Sequence, residues 1–374
     1  MAKAVYVGVG SKARKMKKAY IGIGGKARKV KKMYIGDSSG KARLCYSAEL
    51  EKGGMAENLS DERRGIAAAS VGNYALFAGG IGHGSFIDRA HDAVDAYSAS
   101  LTKSMPTALS TVRSSHAGAS VEGYALFAGG ADGQRTVDIV DSVDAYSASL
   151  TRTAAATLSG ERVWMGAASL EGRAFFAGGA SSNMNSDNKC ANVEVYNSTL
   201  TRTAATNLSV ARYYPLTATI GGRVLFAGGD FTKVVDVYSA SLTRTAAADL
   251  SRPTSGDAST VVGNYAIFTS DGNTSCDVYN ASLTKTTVTL LSVARVNMSA
   301  GTVGDYALFA GGGTNSPYSD VVDACDTSLT RTTVTTLDYP RSGLSSATVG
   351  DYLLFAGGRI DSENYSSDVF VYTA

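Results

Sequence analysis

One heptapeptide theme recurs along the chain, and it restricts the possible folds more than any other feature. Its clearest copy is Tyr74-Ala75-Leu76-Phe77-Ala78-Gly79-Gly80, an apolar run that ends on two glycines. The phenylalanine returns as Phe127, Phe176, Phe226, Phe268, Phe309 and Phe355, at spacings of 50, 49, 50, 42, 41 and 46 residues. A self-similar period in this range marks a propeller or a solenoid, in which each unit buries its apolar face on its neighbours. Length alone would divide 374 residues into two or three ordinary domains, whereas a closed repeat array uses them as one body.

The second repeat shows what a unit contains. After Leu109-Ser110 and Arg113 comes a run of small residues, His116-Ala117-Gly118-Ala119-Ser120-Val121. A turn at Glu122-Gly123 leads into Tyr124-Ala125-Leu126-Phe127-Ala128-Gly129-Gly130, and a loop then precedes Val143-Asp144-Ala145-Tyr146. Ser147-Ala148-Ser149 turns the chain into Leu150-Thr151-Arg152-Thr153-Ala154. Four strands in about fifty residues are the content of one propeller blade. Scarce proline (5), abundant glycine (41) and many Ser, Thr, Tyr and Val residues agree with short strands and tight turns.

Each strand has a chemistry suited to a place in the blade. The first is built from small residues, which fits a crowded innermost position around a central channel. The second is apolar throughout, as expected when both faces are covered. In the third, Val143 and Ala145 alternate with Asp144 and Tyr146. The fourth is rich in Thr and carries a recurring cation (Lys103, Arg152, Arg202, Arg244, Lys285, Arg331), which suits an outer edge guarded by charge.

The double glycine closing the second strand, the acid and tyrosine of the third, and the arginine before the next first strand together resemble the kelch repeat over residues 45–374. The resemblance implies an all-β, seven-bladed kelch-like β-propeller. Kelch units usually carry a tryptophan on the fourth strand; here Thr153 and Thr203 hold such positions, and the fifth repeat has Thr269-Ser270-Asp271-Gly272 in place of the double glycine. The last repeat stops at Val369-Phe370-Val371-Tyr372-Thr373-Ala374, after its third strand. Tyr46-Ser47-Ala48-Glu49-Leu50 with Leu59-Ser60 and Arg63 reads as a third-strand end, a fourth strand and an arginine. Residues near 47–58 are therefore expected to complete the last blade and close the ring.

Residues 1–44 form a separate unit. They hold thirteen Lys/Arg and one acid (Asp37), while the remaining 330 residues hold 22 Lys/Arg and 32 acids. A fourteen-residue repeat places Tyr6, Tyr20 and Tyr34 in register, each followed by a glycine-rich turn and basic residues. Alternation in those stretches predicts small β-hairpins. Three readings stand side by side: a nucleic-acid arm, a disordered tail, and a docking module for an acidic partner or neighbouring subunits. The pattern also resembles short basic repeats of tail and baseplate-associated proteins of phages infecting Gram-positive bacteria. That resemblance favours docking through Lys12, Arg14, Lys15, Lys26, Arg28, Lys29, Lys31 and Lys32.

In a four-stranded blade the 1–2 and 3–4 turns share one face, and here they are near copies of one another. The 2–3 and 4–1 loops on the opposite face vary in length and content. They hold His83, Phe86, Arg135, Asn183, Tyr318, Asn364 and Tyr365, together with Trp164, Tyr213 and Tyr214. Aromatics beside Asn, Asp, Ser and Gly make an adaptable binding surface, with rings that stack on sugar faces and amides that bond hydroxyls. The competing expectation for Trp164 is that it packs against a neighbouring blade.

The three histidines (His83, His91, His116) have no metal-ligand spacing, and no nucleophile elbow or phosphate loop appears. The recurring aspartates Asp95, Asp144, Asp236, Asp277 and Asp323 occupy one structural position, and Cys45, Cys190, Cys276 and Cys325 read as small buried residues. The N-terminus lacks a signal-peptide core, and no run reaches membrane-spanning length. These features predict no catalytic residue, metal or cofactor. They predict instead a structural and recognition protein of a phage tail, baseplate or virion surface, made in a bacterial cytoplasm. Its leader docks to other virion proteins in multiple copies, and its loops bind a host-surface glycan or protein. Two alternatives remain open: a bacterial kelch-like adhesion or scaffold module with a basic arm for an acidic partner or nucleic acid, and a divergent propeller enzyme.

Overall fold

A computed structural model describes residues 6–9, 12–15, 19–23, 26–30, 32–36, 42–47, 49–83, 89–132, 138–181, 188–313, 317–333 and 336–374. All regular structure among them is β. Among the described residues there are seven four-stranded antiparallel sheets. The second is representative, with Ala117–Val121, Tyr124–Ala128, Val143–Ser147 and Arg152–Ala154 side by side in chain order. The seventh comprises Ser345–Val349, Tyr352–Ala356 and Val369–Thr373, and its fourth strand is Glu51–Met55 from the other end of the chain. Phe370 stands opposite Met55 and Tyr372 opposite Lys52, with a register shift between Val371 and Tyr372. The first strand of each sheet packs beside that of the next, and Ser345–Val349 packs beside Ala67–Val71 of the first sheet. The arrangement is β-propeller-like.

Small first-strand residues permit this convergence, and their hydroxyls hold it. Ser120 Oγ donates to the Ser70 carbonyl (2.6 Å), Ser70 Oγ to the Thr348 carbonyl (2.7 Å) and Thr219 Oγ1 to the Ser169 carbonyl (2.8 Å). Each of these bonds joins neighbouring sheets, whose first strands share no backbone ladder. The hydroxyls thus satisfy carbonyls on a strand edge that has no ladder partner of its own.

The second strand is buried on both faces; Ala125, Leu126, Phe127 and Ala128 have no exposed surface. Phe127 meets Tyr146 of the third strand edge-on at 5.9 Å. The third strand is buried on both faces too, including its acid, because that carboxylate lies between two cations. Asp144 pairs with buried Arg113 and with Arg152 of the fourth strand (3.0 Å). Asp236 repeats this with Arg212 (2.9 Å) and Arg244 (2.8 Å), and Glu194 with Arg162 and Arg202. The fourth-strand cations are therefore not simply guards of a free edge. Arg152 stands opposite Tyr146, one diagonal step from Asp144, and that step places its guanidinium on the acid.

The double glycine joins one sheet to the next. The Gly130 amide donates to the Arg162 carbonyl (2.9 Å), Gly80 to Arg113 (2.9 Å) and Gly358 to Arg63 (3.0 Å), the last running from the seventh sheet to the first. At Gly129, φ is +65°, and a Cβ would lie 2.4 Å from the Arg162 carbonyl oxygen, so no larger residue fits. In the fifth sheet Thr254 holds the arginine position, and Ser270-Asp271 stand where the other sheets have the double glycine. There, the Ser251 hydroxyl bonds Asp277 (2.7 Å) as Ser110 and Ser209 bond the acids of their sheets, and the Thr287 hydroxyl adds a further bond at 2.8 Å where the guanidinium is missing.

In the leader the backbone forms three two-stranded antiparallel pairs: Tyr6–Val9 with Lys12–Lys15, Tyr20–Ile23 with Lys26–Lys29, and Lys32–Gly36 with Ala42–Ser47. The third pair carries Cys45 and Tyr46, with Tyr46 opposite Met33. Residues 45–47 thus pair within the last hairpin instead of forming a third-strand end, because the closing strand begins only at Glu51. Cys276 and Cys325 are buried, while Cys190 is partly exposed.

Candidate functional site

In every repeat the chain enters the first strand through a residue with positive φ, two positions after the arginine site. Gly65, Gly256 and Gly343 fill it in three repeats, but Ser115 (57°), Trp164 (60°), Tyr214 (51°) and Asn297 (55°) fill it in the others. A left-handed conformation brings Cβ against the following carbonyl and costs a non-glycine residue about 1–2 kcal/mol. The turns interlock across sheets. The Trp164 amide donates to the Ser115 carbonyl (3.0 Å), Tyr214 to Trp164 (2.8 Å) and Gly343 to Asn297 (3.0 Å). Trp164 and Tyr214 are thus fixed in neighbouring places on the loop side of the first strands.

Their rings meet. The Trp164 centroid lies 5.2 Å from Tyr214 at 31° and 5.6 Å from Tyr213, and the two tyrosines stand at 81° to one another. Tyr214 keeps 39% of its surface exposed. It rests on Gly256, where an added Cβ would come within 2.7 Å of the Tyr214 Cβ. Tyr213 borders Lys189, whose Nζ is 6.0 Å from its ring and which pairs with Asp230. Burial, then a hydrogen bond with Asp230, pushes the Tyr213 hydroxyl pKa up. Beside Asp230, Phe231 is 67% exposed and also has positive φ (55°). The result is an aromatic platform on a rigid frame, edged by one ion pair.

The other expected loop residues divide. His83 lies 4.8 Å from Tyr365, but Tyr365 is only 2% exposed, with Arg64 (5.7 Å) and Arg359 (6.0 Å) near its ring. Tyr365 is therefore a packing residue, not a contact surface. Asn364 is exposed, yet its amide is engaged by Asp361 (2.8 Å) within the same loop. Tyr318 is half-buried, with its hydroxyl 3.5 Å from the Asp361 carbonyl. Phe86, Arg135 and Asn183 lie outside the described residues, as does Lys31 of the leader. Lys12, Arg14, Lys15, Lys26, Arg28, Lys29 and Lys32 lie on leader strands.

Sequence reasoning missed Phe231 and Gly256. The first follows Gly228-Gly229 and was open to the same loop argument as Phe86; the second acquires meaning only from Tyr214 above it. Among the described residues, no group of three His, Cys, Asp or Glu is placed to hold a metal ion, and no helix is long and apolar enough to cross a membrane.

No protein-family model matches the chain, and no curated protein matches its sequence. Among solved structures it is similar to one described as "Structure of YjhT", with 12% identity over 85% of this chain and 97% of that chain and a TM-score of 0.56. At this identity the likeness concerns fold alone.

Proposed function

We propose that this chain is a non-enzymatic recognition protein of a phage tail, baseplate or virion surface. The seven sheets serve as the blades of a kelch-like propeller closed by Glu51–Met55, the loop face binds a host-surface ligand such as a glycan, and the basic leader docks to the particle. One observation carries the binding role: Trp164 and Tyr214 occupy strained left-handed positions that glycine fills in other repeats, and their rings stack at the surface. Strain retained at an exposed aromatic pair points to a use other than packing. The leader's excess of cations and its hairpin backbone support docking to an acidic surface. The test is binding to host cell-wall glycans by the full chain and by a Trp164→Ala/Tyr213→Ala/Tyr214→Ala variant. Binding lost in the variant supports the reading; equal binding by both, or by neither, overturns it.

A further inference from the structure

The residue after each left-handed position forms a second set of equivalents: Ile66, His116, Met165, Pro215, Asp257, Met298 and Leu344. Five are apolar. Where the double glycine is present, these side chains pack on its second glycine; a Cβ on Gly80 would lie 3.0 Å from Ile66, and one on Gly312 2.7 Å from Met298. The fifth sheet has lost the double glycine, and there the equivalent residue is a carboxylic acid, Asp257.

Asp257 Oδ1 accepts the Asn297 amide (3.2 Å), replacing the main-chain carbonyl that takes this bond at the Trp164 and Tyr214 positions. Its Oδ2 is buried and receives no donor; the side chain it can bond, when one of the two carboxyls is protonated, is Asp271. Beside it stands Asp271, held by the Thr254 hydroxyl (2.9 Å) and the Ser255 amide (3.2 Å). Among the described residues, the groups acting on Asp257 are the Asp271 carboxylate and the neutral Asn297 amide. Arg295, from the loop that supplies Asn297, is committed to Asp323 (2.9 Å) and the Phe309 carbonyl (3.0 Å). Tyr214 is neutral, since burial raises its hydroxyl pKa. Arg64 acts on Tyr214, but among the described residues no cation acts on Asp257 itself.

We propose that Asp257 is a pH-sensitive latch on the aromatic platform. In its protonated form it keeps Gly256 seated beneath Tyr214; ionised beside Asp271, it loosens that seat and with it the Trp164–Tyr214 stack. Burial first, and Asp271 second, push the carboxyl pKa up to about 7 from 3.8. Because the folded value lies above the unfolded one, protonation favours the folded arrangement. That contribution is complete below about pH 4 and is lost as pH rises through about 7. The latch is a regulation of the recognition site proposed above.

Trp164 is the only tryptophan in the chain, so its fluorescence reports on the platform directly and without ligand. Emission of the full chain between pH 5.5 and 8.5 is expected to shift with a midpoint near 7. Asp257→Asn should abolish the transition. Asp271→Asn should move it down by about one pH unit, as one like charge is removed. A flat wild-type profile overturns the latch, as does an unchanged transition in Asp257→Asn. If that variant does not fold, an unmoved midpoint in Asp271→Asn overturns it instead. Failure of glycan binding with the titration intact would count against the recognition reading alone.

Discussion

The Arg341 guanidinium carbon lies 4.5 Å from the centre of the Phe370 ring. Phe370 holds the third-strand position that an acid fills in the other six sheets, and Lys52 of the closing strand approaches the same ring at 5.4 Å. The seventh sheet keeps both cations and replaces their carboxylate with a π face. The displaced charges go elsewhere, Arg341 to Asp368 at 2.9 Å and Lys52 to Asp338. Attraction between a cation and a ring is weaker than a buried ion pair, but it leaves no carboxylate to neutralise.

This difference predicts unequal effects of one substitution. Arg113→Met leaves the buried Asp144 carboxylate without its inner partner and should cost about 3–5 kcal/mol. Arg341→Met removes a ring contact and a pair with the partly exposed Asp368, and should cost about 1–2 kcal/mol. Chemical denaturation of the two variants checks the order; equal losses would contradict it.

Backbone strain at Trp164 is measurable. With φ at +60°, Trp164→Gly should be more stable than Trp164→Ala by about 1 kcal/mol, since both lose the ring and only glycine relieves the turn. Thermal melts of the pair give the difference, and an alanine variant at least as stable as the glycine one removes the argument.

Strand Glu51–Met55 covers the open edge of Val369–Thr373. Deletion of residues 49–58 exposes that edge to other chains and should produce aggregation with a lower melting temperature. Size-exclusion chromatography and a thermal melt read both effects. A truncated chain that melts like the full one would show that the pairing contributes little.

The thiols offer a test of burial. Cys276 and Cys325 are raised to about 12, in each case chiefly by burial. In a Cys45→Ser background at pH 8, an alkylating reagent should label Cys190 first and reach Cys276 and Cys325 only on unfolding. Mass spectrometry of the native protein decides it.

Much of the sheet structure was legible because each strand is written in local chemistry. The apolar second strands, the small first strands and the turn glycines follow from neighbours in sequence, and seven copies reinforce one another. The closing strand was legible as a fourth strand lacking companions, although its limits were not: Tyr46 has strand character but no cue to its partner. The fourth-strand cations were read as edge guards because their acids lie across a turn on another strand. For Arg113 the acid lies 31 residues further on.

Sequence by itself determined the repeat, the four strands of each unit and the point where every second strand must end, since those depend on periodicity, side-chain size and the left-handed freedom of glycine. It also singled out Trp164, Tyr213 and Tyr214 as loop aromatics. Tertiary structure alone decided which loop residues act together. Trp164 stacks on Tyr214 and Tyr214 rests on Gly256, whereas Tyr365, with the same loop character, is buried beside Arg64 and Arg359. Except for Arg359, these neighbours lie about a repeat or more apart in the chain. They meet only when the sheets pack side by side, and that packing is set by contacts between repeats that no single repeat contains.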